Sequence, residues 1–477
     1  MRSAPVFGAA ALLGLAGLSL LHPPVAVPRM MEPRMRVLLH EGPRLLLRAD
    51  GEQLLRVRGL PGGEGSWRRL EVSLRGGRLL VDCDGDERWL GAAAVLSVMN
   101  DDPRGIWLGQ RRYRGELRIS GRGGTLRAVN ELGIETYLAS VVGSEMPHAW
   151  PLAALQAQAV AARTYALKQR SRGGGWDVKA TVASQVYSGV EAETASTREA
   201  VASTRSLVLV HGGKLIDAVF HSSSGGVTEA SGMVWRNQLP YLVSVPDHDQ
   251  HSPVHRWQER FDPMMLRRTW PETGGLDGVE VLSRSRSGRV RQARVRGPRG
   301  TLMLTGNELR RRLGLKSTLV NFEMVAASSR PAPVSLPAVA SPDAESGSGR
   351  SRIDRITASV ARQPTGLRPR ESHPRESHLQ ESRPQPRRQL RASTPDLLGA
   401  AARSRPAAAG RQLLVRGQGF GHGVGMSQWG AHGLAEQGAD FRAILGHYYR
   451  GADVVPFQPY HDPAMAQLVP SAPLWRG

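Results

Sequence analysis

Residues 134–172 read IETYLASVVGSEMPHAWPLAALQAQAVAARTYALKQRSR, and the reading of this stretch decides the fold class. Ile134, Tyr137, Leu138, Val141 and Val142 recur at three- and four-residue steps, which predicts a helix with one apolar face. Glu145-Met146-Pro147 ends it, because the residue before a proline is pushed out of the α region. Pro151 opens a second helix as a first-turn residue, and Leu152–Arg172 continues it, rich in Ala and free of Pro and Gly until Gly173–Gly175. Before this helical pair the pattern is different. From Met35 to Ser120 short apolar runs (Arg36–Leu39, Leu54–Val57, Leu70–Leu74, Leu79–Val81, Glu116–Ile119) are separated by turn signals at Pro61-Gly62-Gly63, Gly76-Gly77 and Asp84-Gly85. Alternation such as Leu70, Val72, Leu74 predicts half-buried strands. After the helices, strand-like runs return at Thr181–Tyr187, Leu207–His211, Leu215–His221 and Tyr241–Val245. The expected class is α+β: a β-rich N-terminal region and a mixed helix/strand domain interrupted by a disordered insertion.

The chain has 477 residues, 63 Lys+Arg against 42 Asp+Glu, one Cys and 40% hydrophobic residues. That apolar content rules out a chain disordered throughout and a polytopic membrane protein. A single cysteine, Cys83, rules out an intrachain disulfide framework and any multi-Cys metal cluster. The net charge of +21 points to a polyanionic partner, but only Lys168, Lys179, Lys214 and Lys316 are lysines. So one-sided a use of Arg weakens charge as a guide to function.

At the N-terminus Arg2 precedes the uncharged run Val6–Leu21, VFGAAALLGLAGLSLL. As a helix it would cover roughly 24 Å, short of a hydrocarbon core of about 30 Å. It reads as an export signal, cleaved or kept as an anchor, which places the protein in the periplasm or cell envelope. Far downstream, residues 331–410 hold no aromatic residue, many Pro and Ser, and 13 Arg against 7 Asp+Glu, so +6 of the net charge lies there. Such a stretch cannot bury enough apolar surface to offset its ordering entropy, so disorder is expected. The expected division is 1–29 signal peptide or membrane anchor, 35–120 β-rich region, 121–330 first part of the mixed domain, 331–410 insertion, 411–456 its C-terminal motif, and 457–477 tail.

Three segments carry chemistry-bearing residues. Glu145 stands between the two helices beside Met146, Pro147 and Trp150, where desolvation would raise its pKa and suit it to general acid work. The alternative is an ordinary surface Glu, against which stands the unfavourable helix dipole at a C-terminus. Arg163 could turn toward Glu145 or a substrate hydroxyl, or lie solvated beside an Ala face; both remain open. His221-Ser-Ser-Ser-Gly-Gly226 presents hydroxyls and backbone N–H groups at a strand end, but no G-x-S-x-G elbow supports a nucleophilic Ser. Zinc through His221 with His248, His251 or His255 lacks the usual spacing. Gly417–Ala431, GQGFGHGVGMSQWGA, lets backbone approach a ligand closely while His422, Ser427, Gln428 and Trp429 project, but it is no phosphate loop. A helix is expected from about Ser427 to Gln437, stopped by Gly438.

At these segments the sequence resembles the SpoIID/LytB family. The matching stretches are residues 130–167, SQVYSG (184–189), FHSSSGGVTE (220–229), PYLVSV (240–245) and residues 419–449, from GFGHGVGMSQWGA to HYY. The resemblance implies a lytic transglycosylase acting on peptidoglycan glycan strands, with Glu145 of the E-M-P motif as general acid and base producing 1,6-anhydro-muramic ends. It implies substrate-binding roles for Arg163, Gln185, Tyr187, Ser224, His422 and Gln428. No cofactor follows from it, and the His/Cys zinc cluster of some members is not carried over because no cysteine stands nearby. Ser206 occupies a position where the family usually has Gly in a turn, which implies a local backbone change. The implied partners are glycan strands and a wall amidase, the second because the family also holds non-catalytic amidase enhancers. Nucleic acid is not expected: aromatics make up 5% of the chain and the Arg-rich insertion has none.

Overall fold

A computed structural model describes residues 32–170, 174–326, 411–458 and 461. The expected signal or anchor at 1–29, the whole 331–410 insertion and most of the 457–477 tail lie outside them. Among the described residues no helix is long and apolar enough to cross a membrane.

The alternating apolar positions of the N-terminal region form two sheets. One has the order Val178–Lys179, Arg34–Gly42, Thr125–Gly133, Glu116–Arg122, Val95–Met99, Leu55–Leu60 and Gly63–Trp67. The other runs Arg111–Tyr113, Ile106–Leu108, Arg44–Arg48, Arg69–Arg75, Arg78–Cys83 and Asp86–Leu90. Leu70 and Val72 turn inward while their neighbours do not, as a two-residue period requires. Val37, Leu55, Leu96 and Ile119 of the first sheet meet Leu47, Leu70 and Val81 of the second in one core. The chain leaves the strand Thr125–Gly133 directly into a helix, and the same core continues through it. The β-rich region and the helical pair are therefore packed as one body.

Eight α-helices occur among the described residues: α1 (Ile134–Glu145), α2 (Leu152–Gln169), α3 (Ala195–Ser203), α4 (Ser231–Val234), α5 (Pro263–Thr269), α6 (Gly306–Leu313), α7 (Gln428–Glu436) and α8 (Phe441–Tyr448). The expected apolar face of α1 is buried, and so are Ala139, Ser140, Gly143 and Ser144 on its other sides. Ser140 is satisfied there by donating to the Gly189 carbonyl at 2.7 Å. Small side chains let α2 sit at the centre, packed on α1, α3, α7, α8 and the strand Leu207–His211.

Two of the expected strands are absent. Residues 181–187 and 241–245 are irregular, apart from the single bridge Val227–Pro246 just beyond the second. Tyr187, Tyr241, Leu242 and Val245 are buried, so the apolar pattern reflected burial and not sheet pairing. The run Leu215–His221 breaks into Lys214–Leu215 and Phe220–His221, which join different sheets. Ser206 itself takes the left-handed φ of 66° that a glycine would take there, with its N–H donating to Glu135 at 3.2 Å.

A second core was not foreseen. Strands Arg256–Phe261, Arg411–Gln418 and Leu319–Ala326 form one sheet, and Gly278–Arg284, Val290–Gly297 and Gly300–Thr305 form another. Together with α5 and α6 they enclose Phe261, Trp270, Val295, Leu309, Leu313 and Val415. This unit stands between the His221 segment and the Gly-rich loop in sequence, so both of its ends feed the site.

Candidate active site

Glu145 is the last residue of α1. Met146 already has an extended ψ of 147°, as Pro147 demands, so the chain turns away and leaves the carboxyl at the mouth of a cleft. One carboxylate oxygen accepts the Val186 N–H at 2.8 Å and the other the Gln428 side-chain amide at 3.1 Å. Burial pushes the Glu145 pKa up, and these two hydrogen bonds offset only part of that push. The irregular stretch 181–187 thus has a use: it points a backbone donor at Glu145 that a paired strand would have spent on its neighbour.

Gln428 arrives from the far end of the sequence by a short parallel pairing, Phe220 with Met426 and His221 with Ser427. Ser427 then caps α7 by accepting from the Gly430 N–H at 3.1 Å, which turns Gln428 and Trp429 toward α1. The preceding loop needs its glycines. At Gly425, φ is 71° and a Cβ would stand 2.1 Å from the Val219 carbonyl oxygen.

The cleft so formed has a volume of about 550 Å³. Its walls come from the end of α1, residues 182–186, Phe220–Ser222, Phe420–His422 and the start of α7, with Trp235 and Arg310 added from outside these segments. Aromatic surface is plentiful: Trp150, Tyr165, Trp235, Phe420 and Trp429 all line it, and Trp150 meets Trp429 edge-on at 4.7 Å. Glu145 is the one carboxylate among the lining residues.

Two histidines share the cleft wall, their rings 5.4 Å apart. Burial, aided by the Arg310 charge, pushes His422 down to about 4, while its Nδ1 accepts the Val424 N–H at 3.1 Å. His221 is held well below the ordinary imidazole range by burial and by His422 and Arg289, and its Nδ1 donates to the Val424 carbonyl at 3.1 Å. Both rings are neutral at ordinary pH. These residues do not fit a zinc centre: among the described residues no group of three or more His, Cys, Asp or Glu side chains could hold a metal ion.

The expected site residues divide. Glu145, His422 and Gln428 come together in the cleft. Arg163 does not: it is 1% exposed and paired with Glu135 at 2.6 Å, with further bonds to the Leu207 and Val201 carbonyls. Gln185 is buried, accepting from Tyr137 at 3.0 Å and donating to the Ala162 carbonyl at 3.2 Å. Tyr187 is buried against Tyr137 and Tyr113 with its hydroxyl on Asn130 at 2.9 Å. Ser224 donates to buried Asp247, which also takes the Tyr448 hydroxyl at 2.6 Å. These four hold the frame around the cleft.

Arg289 was missed entirely. From the second unit it donates to the Ser224 carbonyl at 2.7 Å, the Val227 carbonyl at 3.0 Å and the Ser287 hydroxyl at 2.8 Å. Ser287 in turn donates to Glu229 at 2.7 Å, and the Glu229 N–H bonds the Gly423 carbonyl at 2.7 Å. The chain 221–229 and the Gly-rich loop are thereby tied to one buried guanidinium.

A family model described as stage II sporulation protein, SpoIID, matches residues 122–211, the stretch that contains α1, Glu145 and α2. Residues 122–211 thus form a SpoIID domain, and the chain is similar over about two thirds of its length to proteins of that family. The stage II sporulation protein D of Bacillus amyloliquefaciens is 27% identical over 348 residues, 69% of this chain and 75% of that one. An amidase enhancer of Bacillus subtilis is 30% identical over 335 residues, 67% of this chain but 40% of its own length. An uncharacterized protein of Brachyspira hyodysenteriae is 28% identical over 357 residues, 74% of this chain and 75% of the relative. The model match takes in Glu145, Arg163, Gln185 and Tyr187, whereas Gln428, His422 and Arg310 reach the cleft from outside it.

Proposed function

We propose that this protein is an envelope-associated lytic transglycosylase that cleaves peptidoglycan glycan strands, with Glu145 as general acid and base. The observation that carries the reading is a lone carboxyl, raised in pKa by burial, facing an aromatic-lined cleft. A carboxyl that keeps its proton near neutral pH can give it to the glycosidic oxygen as the bond from muramic acid C1 breaks. The resulting carboxylate then takes the proton of that sugar's own 6-hydroxyl as O6 bonds to C1. A 1,6-anhydro ring closes and Glu145 is returned to its acid form. Ordinary glycosidases need a second carboxylate for water or for a covalent intermediate. An internal nucleophile removes that need, in keeping with a cleft that Glu145 alone supplies with a carboxylate. The aromatic faces suit the apolar faces of pyranose rings, and neutral His221 and His422 suit hydroxyl and amide groups.

A second reading draws on the relative named amidase enhancer: the cleft binds glycan without cutting it and stimulates a wall amidase. Incubating purified protein with glycan strands and searching the products for anhydro-muramic ends by mass spectrometry separates the two. The enzyme reading predicts such ends with the natural chain and none with Glu145→Gln, which still binds strands. Binding without anhydro ends from the natural chain would favour the enhancer.

A further inference from the structure

Arg310, on α6 of the second unit, lines the cleft although it belongs to none of the segments that resemble the family. Its Nε is fixed by donating to the Leu315 carbonyl at 3.1 Å, which leaves the terminal amines of the guanidinium free of that bond. Among the described residues it makes no ion pair, and its pKa is perturbed by burial alone, with no acidic neighbour acting on it. A half-buried guanidinium without a counter-charge on the protein is unfavourable, and pairing with an anion relieves it. The remaining charge inventory of the cleft agrees: His221 and His422 are neutral, and Glu145 must carry its proton to start the reaction. In that reactive state Arg310 is the one charged side chain lining the cleft.

We propose that Arg310 forms a carboxylate subsite that takes the lactyl carboxylate of a muramic acid unit whose stem peptide has been removed, since the amide to the peptide otherwise masks that charge, and so distinguishes peptide-free muramyl strands from chitin, which has the same backbone without that group. The geometry suits a planar carboxylate: a guanidinium anchored at Nε presents its terminal N–H groups as a fork. The proposal rests on the glycan reading of the cleft and names the group by which that cleft reads the strand.

The test uses the full chain with Glu145→Gln, so that strands stay intact, and follows Trp fluorescence because Trp150, Trp235 and Trp429 line the cleft. Three ligands of equal length are titrated: muramyl strands bearing free lactyl carboxylates, the same strands with those carboxyls reduced to alcohols, and chitin oligosaccharides. The carboxylate strands are expected to bind about tenfold or more tighter than the other two. Adding Arg310→Gln should bring all three to a common affinity, while Arg310→Lys keeps part of the preference. Because one arm alters only the ligand, a poorly folding variant would leave the proposal open to refutation. Equal binding of carboxylate and reduced strands overturns it, as does a preference that survives Arg310→Gln. If strands bind without discrimination, only the subsite falls. If no strand binds at all, the glycan reading fails and the subsite with it.

Discussion

Glu145 ends its own helix, where the dipole is negative, and its carboxyl is desolvated; both effects favour the protonated form. Anhydro-product formation should therefore fall as pH rises through a value above the ordinary carboxyl range. No histidine limb is expected between about pH 5 and 8, because burial pushes His422 down to about 4 and holds His221 well below the ordinary imidazole range. The same shift sets a stability prediction. A group whose folded pKa is raised is most favourable to the fold when protonated, and that contribution is lost as pH rises through the folded value. Glu145→Gln should then match the natural chain in Tm at acid pH and exceed it at neutral pH; a lower Tm at pH 7 would contradict the raised pKa. Arg163 shows what one sequence cannot give. Its helix and its small neighbours were legible, but not that its partner would be Glu135, 28 positions earlier on the first turn of α1. Arg163→Met should cost about 3 kcal/mol in denaturant unfolding by stranding a buried carboxylate. An unchanged midpoint would mean that the pair holds nothing.

At the scale of elements, α1, α2 and α7 were readable because proline, glycine and capping residues mark their ends in the chain itself. Residues 241–245 were misread because burial imitates a strand pattern where a loop is enclosed by other elements, whereas in 181–187 only Gln185 and Tyr187 are buried and the exposed Val182 completed the apparent alternation. What holds those loops is long-range. Arg289 reaches the Ser224 and Val227 carbonyls from 65 and 62 residues away, and no local signal announces it. Arg289→Met should speed amide hydrogen exchange in residues 221–229 and 419–425 while leaving α2 protected, because local opening depends on local ties. Exchange unchanged in both loops would refute the clamp. Gly425→Ala should destabilise by about 2 kcal/mol or more and disturb the Gln428 contact with Glu145, since a Cβ would meet the Val219 carbonyl.

For the molecule as a whole, the α+β class and the order of its parts were visible in hydrophobic periodicity, whereas the second core was not, because Arg interrupts strands such as Val290–Gly297 and the central strand Arg411–Gln418 lies far along the chain from its partners. Its edges explain how the long stretch 327–410 can be accommodated: Ala326 and Arg411 are direct partners on adjacent antiparallel strands. Replacing 327–410 by a short turn should preserve Tm and cleavage, and an unfolded or inactive deletion would contradict the framework. If the +6 charge of residues 331–410 serves retention near anionic wall polymers or lipid head groups, the deletion should loosen envelope association. On the proposed reading, cleavage chemistry belongs to the cleft. The most direct test of that chemistry runs the reaction in water labelled with heavy oxygen and weighs the new muramic ends. Internal attack by the 6-hydroxyl predicts ends lighter by one water than a hydrolysis product, without label, and absent with Glu145→Gln. Labelled, hydrated ends would contradict the account.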